Sequence, residues 1–85
     1  MIVEAYMKYQ CPCCGFKTLT SEQRGSFEIC PVCYWEDDKV QLKDPDYAGG
    51  ANSVSLREAQ AYYKIYGACD PKWVSCVRKP EAFEK

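Results

Sequence analysis

Polar and apolar residues alternate at the beginning of the chain. In the segment 2–9 (IVEAYMKY), Val3, Ala5, Met7 and Tyr9 fall on one side, and the residues between them fall on the other. A period of two is typical of a β-strand, whose successive side chains point to opposite faces. The pattern therefore predicts a strand over residues 2–9.

Two further short apolar segments lie on either side of a polar stretch. Phe16–Leu19 and Ser26–Ile29 are separated by the sequence TSEQRG, which ends in Gly25. Short strands joined by a polar connection that ends in glycine are typical of a β-hairpin. We expect these two segments to pair with each other.

The middle of the chain combines one more apolar pair with a loop. Val40 and Leu42 are two positions apart, and this spacing predicts another short strand. In the sequence DPDYAGGAN that follows, Pro45 disfavours a helix or a central strand, and Gly49–Gly50 allow a positive φ. This second stretch is predicted to be a loop.

Residues 56–66 carry the clearest helical signal. Ser55 and Glu58 form the pattern of a capping box, and Gly67 is a typical residue at a helix end. Leu56, Ala59, Tyr63 and Tyr66 recur at steps of three and four residues, and Tyr62 lies next to them. We expect an amphipathic helix whose aromatic face packs against the core. The tail around 73–77 is compatible with an extended segment or a single helical turn.

Composition indicates a metal or disulfide cross-link in a chain of this size. The 85 residues predict one domain, 1–85, and such a small domain has too little core to be secure on its own. Seven cysteines and no histidine are present. The absence of histidine excludes Ser-His and Cys-His catalytic dyads and every imidazole metal ligand.

The amino-terminal sequence and the apolar segments bear on the cellular compartment. No apolar run approaches the roughly 20 residues of a transmembrane helix, and MIVEAYMKYQ lacks the basic and apolar regions of a signal peptide. We therefore expect a cytoplasmic protein that does not enter a membrane. Because cytoplasmic thiols stay reduced, paired cysteines indicate metal or redox chemistry before structural disulfides.

The cysteine boxes CPCCG and CPVCY predict a metal site. Cys11-x2-Cys14 and Cys30-x2-Cys33 are separated by 15 residues, and two such turns brought together supply a tetrahedral site of four cysteine thiolates. This site has no open position, so we expect one structural Zn²⁺ per chain; the ligands do not exclude iron. Its binding free energy is on the order of 10 kcal/mol, so the metal is expected to stabilise the whole fold.

The residues around the cysteines are consistent with tight turns. Pro12 and Pro31 pre-set φ after the first cysteine of each box, and Gly15 follows the first box. Tyr34 replaces glycine after the second box, which predicts a slightly different geometry for that turn. A thioredoxin-like redox site is disfavoured because the sequence lacks a βαβ pattern.

Three cysteines remain outside this set. Cys13 occupies the position of the first box that normally points away from the metal, and the simplest interpretation is a bystander thiol. Cys13, Cys69 and Cys76 could instead form a disulfide or a second metal cluster. A third interpretation makes Cys13 a reactive thiol, which requires an exposed sulfur of low pKa.

The charges are arranged unevenly along a chain whose net charge is −1. Residues 34–47 have a net charge of −3, and residues 57–79 have a net charge of +3. We expect these charges to pair within the fold or to orient a partner. The acidic residues 36–38 are interpreted first as structural groups that cap a turn or pair with Arg57, Lys72 or Arg78. The alternative is a partner surface of two tryptophans and an acidic edge: Trp35, Trp73, Glu36, Asp37 and Asp38.

Three functions remain open from the residues alone. The first is a non-enzymatic structural-zinc module that binds another protein. The second is a nucleic-acid-binding zinc ribbon, with a basic aromatic patch drawn from Tyr62, Tyr63, Tyr66, Arg57, Lys64, Lys72, Arg78 and Lys79. The third is an enzyme that uses the Cys13 thiol. The predicted fold is small α+β: a zinc-ribbon-like β-hairpin core with one C-terminal amphipathic helix, about residues 56–66, stabilised by metal.

The motifs CPCCG, GSFEICPVCYWEDD, DPDYAGGAN, SLREAQ, YGACD and VRKP occur in this order. Together they resemble the cysteine-rich CPCC family of small bacterial and phage proteins, over residues 9–81. The resemblance implies a zinc-binding domain in which Cys11, Cys14, Cys30 and Cys33 are the ligands, and it implies no catalytic residue. By association it suggests a role in inter-microbial conflict or host takeover.

Overall fold

A computed structural model describes residues 8–85 of the chain. Residues 8–85 form two short strands, two α-helices and two 3₁₀ helices. In chain order these are β1 (Tyr9–Gln10), β2 (Lys17–Leu19), α1 (Lys39–Lys43), α2 (Leu56–Tyr66) and the 3₁₀ helices Pro71–Cys76 and Ala82–Glu84. The expected small fold with an antiparallel hairpin and a C-terminal helix is therefore confirmed in outline, and α1 and the two 3₁₀ helices are additional to it.

The strand pairing differs from the prediction. β1 and β2 pair antiparallel, with Tyr9 opposite Leu19, so the segment 16–19 does not pair with 26–29. Residues 26–29 instead lie beside the segment after the second box, through an isolated bridge between Ile29 and Glu36. Both connections have six residues, so loop length does not decide between them. Each box closes its own turn with backbone hydrogen bonds, whereas the N–H groups of Thr20 and Ser21 in the polar stretch are bound by the Glu28 carboxylate. Of the strand predicted over 2–9, all but the last two positions lie outside the described residues.

A helix replaces the strand that was predicted around Val40 and Leu42. Asp38 Oδ1 accepts hydrogen bonds from the backbone N–H groups of Val40 and Gln41, which makes Asp38 the N-cap of α1. Burial acts to raise the pKa of Asp38, but bonds from the N–H groups of Ala51, Gln41 and Val40 hold it below its usual value. The alternation of two apolar residues was too short a signal to outweigh this cap.

The buried side chain of Gln41 fixes the loop that follows α1. Its amide nitrogen donates to the carbonyls of Tyr47, Asn52 and Val54, at 3.0, 3.2 and 2.9 Å. Its amide oxygen accepts from the backbone and side-chain nitrogens of Asn52. The loop over 44–54 is thus held by a fully bonded polar side chain, because a buried amide without partners would be costly.

The helix predicted over 56–66 is confirmed as α2. Ser55 and Glu58 form the reciprocal capping box, and Gly67 ends the helix in the left-handed conformation at φ 76°. Its aromatic residues divide between two faces. The ring of Tyr63 packs on Phe16, whereas Tyr66 is 49% exposed. Only part of the expected aromatic face therefore belongs to the core.

The tail forms 3₁₀ helices at Pro71–Cys76 and Ala82–Glu84, so the helical interpretation of residues 73–77 is correct and the extended one is not. Asp70 caps the first 3₁₀ helix by accepting the N–H of Lys72, and the second helix contains the buried Glu84. Arg78 donates to both carboxylate oxygens of Glu84, at 2.9 and 2.8 Å. The backbone N–H of Arg78 also donates to the carbonyl of Pro31, so the tail is bonded to the second cysteine box.

Sulfur atoms occupy the centre of the core. Cys11, Cys30 and Cys33 are fully buried and pack with aliphatic and aromatic neighbours such as Leu19 and Trp35. Within residues 8–85, no helix has the length and apolar character needed to cross a lipid bilayer.

We predict that Gln41→Met lowers the free energy of unfolding by about 2 kcal/mol or more, because it leaves buried carbonyl and N–H groups without partners. Gln23→Met is the matched control, since the side chain of Gln23 is exposed. Urea unfolding of the two variants measures the difference. Equal stabilities would show that the Gln41 network does not stabilise the loop.

Candidate metal centre

The two cysteine boxes fold into turns with the same hydrogen bonds. In the first turn, Cys11 N–H donates to Phe16 O, and Gly15 N–H donates to Cys11 O, both at 2.9 Å. In the second turn, Cys30 N–H donates to Trp35 O at 2.9 Å, and Tyr34 N–H donates to Cys30 O at 2.7 Å. The equivalent bonds place the two cysteines of each box on the same side of its turn.

The backbone after each box is left-handed in both turns. Gly15 has φ 83° and Tyr34 has φ 73°. The expectation of a different geometry at Tyr34 was therefore wrong. The second turn keeps the conformation of the first, although a non-glycine residue in this region is uncommon and strained.

The four sulfurs of Cys11, Cys14, Cys30 and Cys33 converge. All four lie within 4.8 Å of one another, and Cys11–Cys33 and Cys14–Cys30 are 3.6 and 3.7 Å apart. A tetrahedral ion with metal–sulfur bonds of about 2.3 Å has its ligands about 3.8 Å apart. The spacing of the sulfurs therefore fits a single metal ion bound by the four thiolates.

The electrostatics of the cluster also fit a cation. Hydrogen bonding to Cys14 raises the pKa of Cys11, and hydrogen bonding to Cys11 raises that of Cys33. Hydrogen bonding from Cys11 lowers the pKa of Cys30, and Thr18 Oγ1 lies 2.9 Å from its sulfur. Four thiols this close cannot all ionise without strong mutual repulsion, so a divalent cation is the group that would stabilise four thiolates.

The donor set defines what such an ion can do. A tetrahedral ion held by four protein sulfurs has no exchangeable position for water or substrate. Three of the sulfurs belong to fully buried residues, and Cys14 is half-buried. This arrangement is suited to cross-linking two turns rather than to activating a substrate.

The remaining cysteines do not assemble a second site. All three are free thiols, and within residues 8–85 the set of four described above is the one group of cysteines and carboxylates arranged to hold a metal. Cys13 is only 8% exposed and Cys69 is buried, whereas Cys76 is exposed. The reactive-thiol interpretation required an exposed Cys13 sulfur, and the structure contradicts that requirement.

Cys69 is part of the core beside the cluster. Burial raises the pKa of its thiol to about 12, and the nearby Cys13 adds to the shift. Its backbone N–H donates to the carbonyl of Cys33 at 2.7 Å. The residue therefore joins the end of α2 to the second cysteine turn.

Most of the expected acidic docking edge is inside the molecule. Trp35 is 1% exposed, and Asp37 and Asp38 are buried. The prediction that these three residues form an exposed docking edge is therefore wrong. The physical reason is hydrogen bonding: Asp38 caps α1, and Asp37 binds the preceding loop. Glu36 and Trp73 remain half-exposed, and both line the same surface cleft.

The buried carboxylate of Asp37 binds the polar stretch that precedes the second cysteine turn. Its Oδ2 accepts bonds from the N–H groups of Gly25 and Ser26 and from the Ser26 hydroxyl, at 3.0, 3.2 and 3.1 Å. Arg24 adds an ion pair at 3.4 Å. These contacts hold the polar stretch against the second cysteine turn.

The predicted basic aromatic patch is only partly available for phosphate. Three of its cations form ion pairs within the chain: Arg57 with Asp46, Lys72 with Asp70, and Arg78 with Glu84. Tyr62 and Tyr66 have ring centroids 6.0 Å apart on α2, but Tyr63 packs inward on Phe16. The acidic stretch 34–47 and the basic stretch 57–79 therefore pair with each other at one point, the ion pair between Asp46 and Arg57.

Sequence reasoning missed three residues around the centre. Thr18 lies beside Cys30. The side chain of Asn52 accepts from the N–H of Glu36 and donates to its carbonyl. Tyr34 lines a surface cleft together with Trp73. Tyr34 could have been found, because it occupies the position at which the first box has Gly15. The other two depend on contacts between distant segments.

We predict different outcomes for Cys30→Ser and Cys13→Ser. Cys30→Ser removes a sulfur from the cluster, so the chain should lose its metal and unfold, because structural metal binding supplies on the order of 10 kcal/mol. Cys13→Ser should cost about 1–3 kcal/mol for a buried hydroxyl and keep the metal. Metal content and circular dichroism measure both. Metal loss from Cys13→Ser would mean that the ligand set is wrong.

Comparison with known proteins agrees with the resemblance in the motifs. The model of the cysteine-rich CPCC family matches residues 9–84, which include all seven cysteines. The comparison with curated proteins gave no match. Because the match spans both cysteine turns, both α-helices and the tail, this chain belongs to the cysteine-rich CPCC family.

Proposed function

We propose that this chain is a zinc-ribbon-like module in which one structural Zn²⁺ shapes a surface that binds another protein. The observation that carries the proposal is the closed set of four sulfurs at the centre of the core, with Cys11–Cys33 and Cys14–Cys30 at 3.6 and 3.7 Å. A closed site favours scaffolding over catalysis. We accordingly propose a non-enzymatic function in a reducing compartment such as the cytoplasm, where the thiolates stay reduced.

Zinc is favoured over iron by the role of the site. The ion is expected to cross-link two turns without changing its charge, and zinc is redox-inactive. We predict that the purified chain contains one zinc per molecule and is colourless. Elemental analysis by mass spectrometry and the visible absorption spectrum measure this. Iron in place of zinc, with the absorption of a ferric tetrathiolate, would support an electron-transfer function instead.

The surface supports a protein partner more than a phosphate backbone. Net charge is −1, and three of the candidate cations are engaged in ion pairs. Affinity for nucleic acids depends on free cations that neutralise phosphates. By contrast, the cleft next to the second cysteine turn presents Tyr34 and Trp73, and such aromatic residues are enriched at protein interfaces.

A capture experiment tests the protein-binding role. The zinc-loaded chain, immobilised and incubated with nuclease-treated extract of its host, should retain one protein at close to equimolar yield. The same chain stripped of zinc with a chelator is the control, and it should retain none because the binding surface depends on the folded cluster. Recovery of no protein at stoichiometric yield would contradict the proposal, and recovery only before nuclease treatment would indicate nucleic-acid binding.

A further inference from the structure

A surface cleft of about 380 Å³ lies next to the second cysteine turn. This volume falls in the range of about 300–1,000 Å³ that is typical of ligand sites. Three segments form its walls, 29–36, 49–54 and 69–73, and they include Tyr34, Glu36 and Trp73. The cleft is on the outside of the metal centre and contains none of its four sulfurs.

Two aromatic rings form one wall, and one of them is held at a conformational cost. Tyr34 adopts φ 73°, the conformation that the first turn reaches with Gly15. Its ring lies 4.8 Å from the ring of Trp73, centroid to centroid. Strained non-glycine residues cluster at functional sites. A glycine at this position would satisfy the turn, as Gly15 does in the first box. The side chain of Tyr34 is therefore not needed for the turn, and we assign its ring to the cleft.

The opposite side of the cleft is rigid. Gly50 is pressed against α1 so closely that a Cβ would lie 2.7 Å from Asp38 Oδ2 and 3.0 Å from Gln41 Cδ. Ala51 N–H donates to Asp38 Oδ2 at 2.8 Å, and Asn52 is held by Gln41. The loop that lines the cleft is therefore preformed, which lowers the entropic cost of binding.

The charges of the cleft favour a cation. Glu36 and Asp70 supply two carboxylates, and Lys72 is the one basic residue of the lining. The carboxylate of Glu36 makes no hydrogen bond or ion pair with residues 8–85; its contacts to Asn52 use backbone atoms only. The lining thus has a net negative charge and one carboxylate that no group in the described part of the chain pairs with, so it repels phosphate and attracts a positive group.

The ammonium group of Lys72 is already bound at the Trp73 side of the cleft. It lies 5.2 Å from the centroid of the Trp73 ring, 3.9 Å from Asp70 Oδ2 and 3.1 Å from Ser53 Oγ. An ammonium over an indole, next to a carboxylate, is a cation–π arrangement. A second cation on the Tyr34 side would find the aromatic wall and the free carboxylate of Glu36.

We propose that the cleft binds an arginine side chain of a partner protein, with the guanidinium stacked on the ring of Tyr34, beside Trp73, and paired with Glu36. This inference rests on the proposed protein-binding function and specifies its recognition chemistry. Arginine fits better than lysine because a planar guanidinium stacks on rings and donates two parallel bonds to one carboxylate. Residues Tyr34, Glu36 and Trp73 are the determinants of this specificity.

The first test uses nuclear magnetic resonance on the zinc-loaded, ¹⁵N-labelled full chain, titrated with the peptide acetyl-Gly-Arg-Gly-amide. The control peptide contains citrulline, which has nearly the same shape without the charge. The arginine peptide should shift the Trp73 indole N–H and the amides of Ser53 and Asp70, with affinity about fivefold or more above that of the citrulline peptide. Equal shifts from both peptides, or none at these residues, would overturn the proposal.

The second test compares Glu36→Gln with Glu22→Gln. Both remove one negative charge, but Glu22 is an exposed residue outside the cleft. Glu36→Gln keeps the backbone bonds to Asn52 and should fold normally, while the dissociation constant for the arginine peptide rises about fivefold or more. Glu22→Gln should leave it unchanged. An unchanged constant in Glu36→Gln, or an equal effect of both variants, contradicts the assignment.

The capture experiment separates this inference from the proposed function. If wild type and Glu36→Gln retain the same protein equally well, the protein-binding function stands and the arginine assignment fails. If the arginine peptide binds but no protein is retained, the proposed function fails and the cation chemistry of the cleft stands. Displacement of the arginine peptide from these residues by a short oligothymidine would overturn both.

Discussion

The convergence of four cysteine sulfurs is the constraint on which the rest of the structure depends. Two turns separated by 15 residues in the sequence meet at the centre of the core, where other small domains place aliphatic side chains. As thiolates these sulfurs repel one another, and a bound cation would relieve that repulsion; a structural metal supplies on the order of 10 kcal/mol. The strands, which are only two and three residues long, are held in place by the turns.

A polar network organises the half of the molecule that the sulfurs do not reach. Asp38 and Gln41 connect α1 to the loop 44–54, and Asn52 connects that loop to Glu36 after the second cysteine turn. Each buried polar group in this chain of contacts has several partners, so the network is both stabilising and specific. It places the loop opposite Tyr34 and Trp73 and so completes the cleft.

The parts of the fold that follow from local chemistry could be predicted, and those that follow from distant contacts could not. Helix α2 has its own caps at Ser55 and Gly67, and the cysteine boxes have their own spacing. In contrast, Val40 and Leu42 alternate like a strand, and only the bonds made by Asp38 and Gln41 show that they belong to a helix. The burial of Trp35 and Asp37 depends in the same way on neighbours far along the chain, so the residues alone kept an exposed acidic edge as the alternative to a structural role. Whether residues 1–85 fold as one domain stays a prediction.

The proposed metal holds the fold together, and stripping it from the native chain tests this most directly. The measurement is the ¹H–¹⁵N correlation spectrum of the protein before chelation, after complete removal of metal under reducing conditions, and during titration with Zn²⁺. We expect the dispersed spectrum to collapse on removal and to return in full at one equivalent of zinc. A spectrum that stays dispersed without metal would contradict the account, because the core would then be stable on its own.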